Sequence, residues 1–229
     1  MKEGAVVRGL FTTPDESVFQ GQSNDNVELL KMWIGSTLAF AVFSSGGAIQ
    51  SPAFVTNLII ASIVCGLAFV LHELAHRIVA RGYGAEAHFV ANNGMLMISV
   101  LIAFAGVFIA APGAVWHRGY LTKQQSGLVA LAGPATNMVL AVIFFFIILG
   151  IFVSRLPVPD WLFDLLWAGF RFNGFLGVFN MIPAGPFDGA KVLAWSPVVF
   201  GITAAIGIFL AFILTNQNVL SAILGFVSP

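Results

Sequence analysis

Charge is what this 229-residue chain has least of: 9% of its residues are charged and 59% are hydrophobic. Soluble domains carry about 25% charged residues, so the composition, with its mean hydropathy of +0.95, excludes a soluble globular protein. Net charge is missing as well. Ten basic residues cancel ten acidic ones, which leaves no basic surface of the kind that nucleic acid requires. Cysteine is almost absent: the single Cys65 excludes an internal disulfide framework and a Cys-based zinc site. It stands in an apolar run and reads as a small packing residue. There is no internal repeat and no low-complexity linker, and the length suits one helical bundle rather than a bundle with a separate soluble domain.

What is present is a series of apolar runs, at 32–49, 53–71, 95–111, 127–153, 161–182 and 198–214. Most approach the roughly 20 residues that a helix needs to cross a bilayer. The expected fold is therefore an all-α polytopic membrane protein with about five to six transmembrane helices. Residues 1–28, with Lys2, Glu3, Arg8, Asp15, Glu16, Asp25 and Glu28, read as a mobile, water-facing tail, and 29–229 as one membrane domain. A last apolar piece, 218–227, is too short to span alone. One stretch breaks the pattern. Asn92-Asn93-Gly94 between two apolar segments is a hairpin signal, so a short β-hairpin or re-entrant segment is expected near 86–118.

The chemistry is concentrated in His72-Glu73-Leu74-Ala75-His76. Histidines at i and i+4 share a helix face and can reach one metal ion, and the intervening Glu is placed to take a proton from water. Ionisable groups within a membrane helix cost about 2.5–3.5 kcal/mol each on insertion scales, and a zinc ion gives three of them a reason to be there. Such a site takes three protein ligands and leaves a fourth position open. Of the carboxylates outside the tail and the motif, Asp160 and Asp164 flank Trp161 and Trp167 like interface residues, and Glu86 suits a loop. Asp188 follows Asn180-Met181-Ile182-Pro183-Ala184-Gly185-Pro186-Phe187, where prolines free backbone groups that are tolerated at membrane depth only in a buried or wet place. It is the expected third ligand. His88 and His117 read as structural or loop histidines, Lys191 as an interface charge and Arg171 as a packed or snorkelling residue.

With Ala132-Gly133-Pro134-x-x-Asn137 and Asn180-x-x-Pro183-x-x-Pro186-x-Asp188-Gly189, the HExxH segment resembles the site-2 protease family of intramembrane zinc metalloproteases (peptidase family M50). The likeness covers about 53–195. It implies one catalytic Zn²⁺ bound by His72, His76 and Asp188, with Glu73 as general base. It also implies Asn180 as a residue that holds substrate or oxyanion, and Asn137 as a polar residue near the site. The implied activity is hydrolysis of peptide bonds within or beside transmembrane segments of membrane-anchored proteins, single-pass ones in particular. Two departures, Ala75 for the frequent Gly and Ala190-Lys191 for the frequent Gly-Arg, touch no ligand. The competing readings are a non-catalytic zinc-binding membrane scaffold and a metal transporter.

Topology can be read independently of the family. The two histidines and Asp188 must lie at one depth, and both sets sit toward the C-terminal ends of their runs. An odd number of crossings must therefore separate them, so one of 95–111 and 127–153 fails to cross; the hairpin signal nominates the first. With the N-terminus in the cytoplasm, Lys2, Arg8, Lys31, Arg77, Arg81, Arg118, Lys123 and Lys191 gather on the inner side and Arg155 on the outer, as the positive-inside rule favours. The expected location is the cell membrane. The motif lies about 10 Å from the helix end at Arg81, nearer the cytoplasm, with Arg77 and Arg81 snorkelling to the interface.

Overall fold

The computed structural model describes residues 24–109 and 113–227. The first helix, α1 (Asp25–Ser44), opens at Asn24, whose side chain accepts from the Asn26 N–H at 3.0 Å. Asp25 and Glu28 thus belong to a helix and not to the polar tail expected to run to residue 28, because Asn24 supplies the cap that starts the helix early. Residues 1–23 of that tail lie outside the described residues. Next comes a continuous 30-residue helix, Ala53–Gly82: α2 (Ala53–Cys65), a wide π-turn at Gly66–Val70, and α3 (Leu71–Gly82). A wide turn of this kind inserts one residue into a helix and is common at functional sites.

The segment after α3 folds back on itself. Strand β1 (Glu86–Ala91) leads into α4 (Asn93–Ala103), and β2 (Gly113–Arg118) returns antiparallel to β1, from Glu86 opposite Arg118 to Ala91 opposite Gly113. The eleven residues of α4 reach about 16 Å, half of the hydrocarbon thickness. The expected strand character at 86 and the two-stranded pairing are present. The Asn-Gly turn is not: Asn92 caps α4 by accepting from the Met95 N–H at 3.0 Å, and the helix sits between the paired strands. Asn serves N-caps as readily as tight turns, and here the apolar run behind it favours the helix.

Two long helices follow, α5 (Lys123–Val153) and α6 (Asp160–Phe179). A reciprocal cap starts α5, with Thr122 Oγ1 accepting from the Gln125 N–H and Gln125 Oε1 accepting from the Thr122 N–H. The chain ends with α7 (Asp188–Trp195), α8 (Pro197–Ile208) extended by a π-turn to Ile213, and α9 (Gln217–Val227), turned 87° from α8. Among the described residues four helices are long and apolar enough to span, and five if the bent pair is one span. The protein is an all-α polytopic membrane protein with a small two-stranded sheet.

Lipid offers little hydrophobic drive between helices, so packing rests on close fit. A Cβ at Gly169 of α6 would lie 2.6 Å from the Phe144 ring of α5, which is how closely those two helices approach. Phe172 of α6 gathers the rings of Phe40, Phe69 and Phe108 at 5.0, 5.4 and 5.6 Å, which fastens α1, the π-turn and the segment after α4 to one point. Between the helix carrying the HExxH sequence and α6, α5 is the one helix among the described residues that is long and apolar enough to span, which fits the odd number of crossings expected from the ligands. Single cysteines at Tyr83, Tyr120 and Leu156, in a background with the buried Cys65 replaced by Ala, test this crossing pattern. Tyr83→Cys and Tyr120→Cys should react with an impermeant thiol reagent from one side of a sealed membrane and Leu156→Cys from the other. Labelling of 120 together with 156 would mean that the segment between β1 and β2 crosses.

Candidate metal centre

On α3, His72 and His76 project from successive turns, both buried, with their Nε2 atoms 3.0 Å apart. Asp188, the first residue of α7, brings Oδ2 to 3.4 Å from His72 Nε2 and 3.2 Å from His76 Nε2. The loop from α6 to α7 makes this meeting possible. It turns through Gly185 at φ +58°, and the Gly189 N–H donates to Asn180 O at 2.7 Å. A Cβ at Gly189 would lie 2.3 Å from Met181 O, so the glycine after Asp188 is what lets α7 fold back onto the end of α6.

The outer face of each imidazole is fixed by a carbonyl. His72 Nδ1 lies 2.6 Å from Asn137 Oδ1, and Asn137 Nδ2 donates to Ala68 O at 2.9 Å. A backbone carbonyl can only accept, so the amide NH₂ must face Ala68 and the amide oxygen must face His72. His72 Nδ1 therefore carries the hydrogen. His76 Nδ1 lies 2.7 Å from Val129 O and carries one for the same reason. Both Nε2 atoms then turn lone pairs toward the Asp188 carboxylate. Three acceptors within 3.4 Å of one another, with no donor among them, repel unless a cation lies between them. Zinc bonds of about 2.0–2.2 Å in a tetrahedral set place ligand atoms roughly 3.3–3.5 Å apart. The donor set and its spacing fit such an ion.

Glu73 is buried in the same place, lining with both histidines a cavity of about 120 Å³. Gly113, Ala114, Val115 and His117 of β2 line the same cavity. Asn180, at the end of α6, lines the cavity while its Nδ2 donates to Leu176 O at 3.0 Å. Of the residues singled out in the sequence, the structure thus gathers His72, Glu73, His76, Asp188 and Asn180 around one cavity, with Asn137 directly behind His72. Glu86, at the far end of β1 and half exposed, and the exposed Asp160 and Asp164 stay away from it.

Other residues depart from expectation. His117 and Lys191, read as a loop histidine and an interface charge, both line the cavity. Burial, and then the Lys191 ammonium, holds the His117 imidazole below its ordinary pKa. Arg77 and Arg81 do more than snorkel: they donate to Asp25 Oδ2 at 2.8 and 3.0 Å, and His88 Nδ1 lies 2.8 Å from Asp25 Oδ1. Once Asp25 is helical it sits beside them. Sequence reading missed the Val129 carbonyl, and it quoted Gly133 only as part of a motif. Gly133 on α5 lies flat against the centre, where an added Cβ would stand 2.4 Å from His76 Nε2 and 2.5 Å from His72 Nε2. A glycine inside a long apolar helix, four residues before an asparagine, was the available signal.

The chain is 43% identical over 149 residues to "Putative zinc metalloprotease MJ0611" of Methanocaldococcus jannaschii, a match covering 63% of this chain and 74% of that protein. It is 31% identical over 145 residues to "Putative zinc metalloprotease YwhC" of Bacillus subtilis, covering 56% and 64%. It is 28% identical over 183 residues to "Putative zinc metalloprotease Rip2" of Mycolicibacterium smegmatis, covering 68% and 67%. No family model matches the chain, and no solved structure does. The geometry makes Gly133→Ala informative. The imidazoles are held from behind by Asn137 and Val129 and cannot retreat, so zinc affinity measured by chelator competition should fall about tenfold or more while the helical circular dichroism persists. Unchanged affinity would mean that the space in front of Gly133 is not the metal's.

Proposed function

This chain belongs to the family of zinc metalloproteases that includes the M. jannaschii protein, and from that premise we propose that it is an intramembrane zinc metallopeptidase of the site-2 protease type, peptidase family M50. Its substrates are membrane-anchored proteins, single-pass ones above all, cleaved within or next to their transmembrane segments. The observation that carries the reading is the meeting of His72 and His76 from one membrane helix with Asp188 from the short helix α7, 3.4 Å or less apart, with Glu73 on the same cavity.

One zinc ion held by these three residues would supply Lewis acidity, making a peptide carbonyl more electrophilic and a water molecule more acidic. Glu73 accepts the proton of that water as its oxygen attacks the carbonyl carbon. It then delivers the proton to the departing amide nitrogen as the C–N bond breaks. Asn180 uses one amide hydrogen on Leu176 O and offers the other to substrate or to the developing oxyanion. A helical substrate hides its peptide bonds and must unwind. On the outer side of β1 the Ala91 N–H already donates to Glu28 of α1 at 3.1 Å, whereas β2 lies against Glu73. An unwound substrate therefore extends along β2 by strand addition.

The distribution of cationic residues supports an orientation with the N-terminus in the cytoplasm, the membrane being that of the cell, and the centre nearer the inner face. A scaffold or a metal carrier would have no use for Glu73 in this cavity. Purified protein in detergent should contain about one zinc per chain. Asp188→Ala should lose most of it. Glu73→Gln should keep the zinc and abolish cleavage of a single-pass membrane substrate followed on gels. Cleavage that survives Glu73→Gln would sink the mechanism, and zinc retained in full by Asp188→Ala would sink the ligand set.

A further inference from the structure

One fully buried polar side chain near the centre has no part in the chemistry above. Asn173 lies in the middle of α6 with no exposed surface, between the apolar Phe172 and Leu176 turns. Its Nδ2 donates to Gly169 O, one turn back, at 2.9 Å, and its Oδ1 accepts from Asn137 Nδ2 at 3.0 Å. A polar group at such a depth is costly in lipid and is kept where it has partners and a task.

Its task follows from which atoms can only accept. Gly169 O is a backbone carbonyl, so the Asn173 NH₂ must face it and the Asn173 oxygen must face α5. The two hydrogens of the Asn137 amide then have one acceptor each, Ala68 O and Asn173 Oδ1. Turning the Asn137 amide over would set its oxygen against two acceptors at once. Its oxygen is thereby committed to His72 Nδ1 at 2.6 Å. With Ala68 alone, one contact would oppose the flipped amide; with Asn173 there are two. Resting on the zinc reading, we infer that Asn173 is a positioning residue for the metal centre, which locks the Asn137 amide and through it the tautomer and ring direction with which His72 presents Nε2. It touches neither metal nor substrate. The lock joins three membrane helices, α6 to α5 to α3, in a single run of hydrogen bonds that ends on a ligand.

Groups that orient a metal-bound histidine typically change metal affinity 10–100-fold when removed. The test uses the full chain in detergent, with zinc affinity from competition with a chromophoric chelator, the visible spectrum of the Co²⁺-substituted protein, and thermal unfolding of the metal-free form. Asn173→Leu removes the acceptor and keeps the branched shape of the side chain. It should weaken zinc binding about tenfold or more and shift the Co²⁺ bands. Asn173→Asp, neutral when buried, can give its O–H to Gly169 O and its C=O to Asn137, and should restore most of both. Leu166→Ala, a cavity elsewhere in α6, should lower the unfolding temperature and leave affinity and spectrum unchanged. Wild-type affinity and spectrum in Asn173→Leu would overturn the inference, whatever its stability. If that variant does not fold, Asn173→Ser serves, since its shorter hydroxyl bonds back to its own helix; wild-type affinity there overturns the inference equally. Wild type that binds no zinc at all would instead overturn the zinc reading on which the inference rests.

Discussion

In hydrocarbon a polar atom has no water to fall back on, and the arrangement of this protein follows from giving each one a partner. Two imidazoles and a carboxylate are turned toward a common point, and they stay there because their other polar atoms are occupied elsewhere: His72 by Asn137, His76 by the Val129 carbonyl. Each of these contacts is ordinary by itself. Leaving one of the buried groups unpaired would cost about 1–3 kcal/mol, comparable to inserting the charged group itself. The centre is held from behind by hydrogen bonds that tolerate one arrangement of donors and acceptors, which is why its geometry is already suited to an ion.

The same constraint explains the architecture around it. Between the HExxH helix and α6 only α5 is long and apolar enough to span among the described residues, and α4 is short because its chain turns back into β2. The two strands satisfy each other along one edge, while Glu28 of α1 takes up the Ala91 N–H at the other side of β1. Asp25 receives Arg77 and Arg81, with His88 beside its other oxygen, so the charged end of α3 is partly neutralised within the protein. Small residues do the remaining fitting: Gly133 lets α5 lie flat against the ligands, Gly169 admits a phenyl ring, and Gly189 lets α7 turn back.

Much of this was legible in the sequence because the chemistry leaves few choices. His72, Glu73 and His76 declare themselves by spacing, and Asp188 by being an acidic residue in a proline-broken segment at the end of an apolar run. That 95–111 departs from the other apolar runs was legible from the hairpin signal, parity and charge, and the structure gives it an eleven-residue helix between two paired strands. Three things were not. Asn92-Asn93-Gly94 carries a turn signal and a cap signal at once, and only the packing of α4 decides between them. Asp25 looked like part of a polar tail because a helix start depends on one capping residue, and its pairing with Arg77 and Arg81 went unseen for the same reason. Asn173 and Gly133 sit in runs whose hydropathy is unaltered by them; their importance comes from what faces them across a helix interface, and a single chain does not record its neighbours.

The π-turn at Gly66–Val70 bears on how such a chain can change over evolutionary time. The wide turn already holds one residue more than a regular helix needs, so a chain shortened by one residue there can close into an ordinary α-helix with its lower half turned little. Elsewhere in 53–71 the same deletion would rotate the lower half by about 100° and swing both imidazoles away from α7. An alignment scored on motif and hydrophobicity would accept either shortened chain. The span is therefore most tolerant of a deletion at the one place where it has a residue to spare, even though no residue there is a ligand.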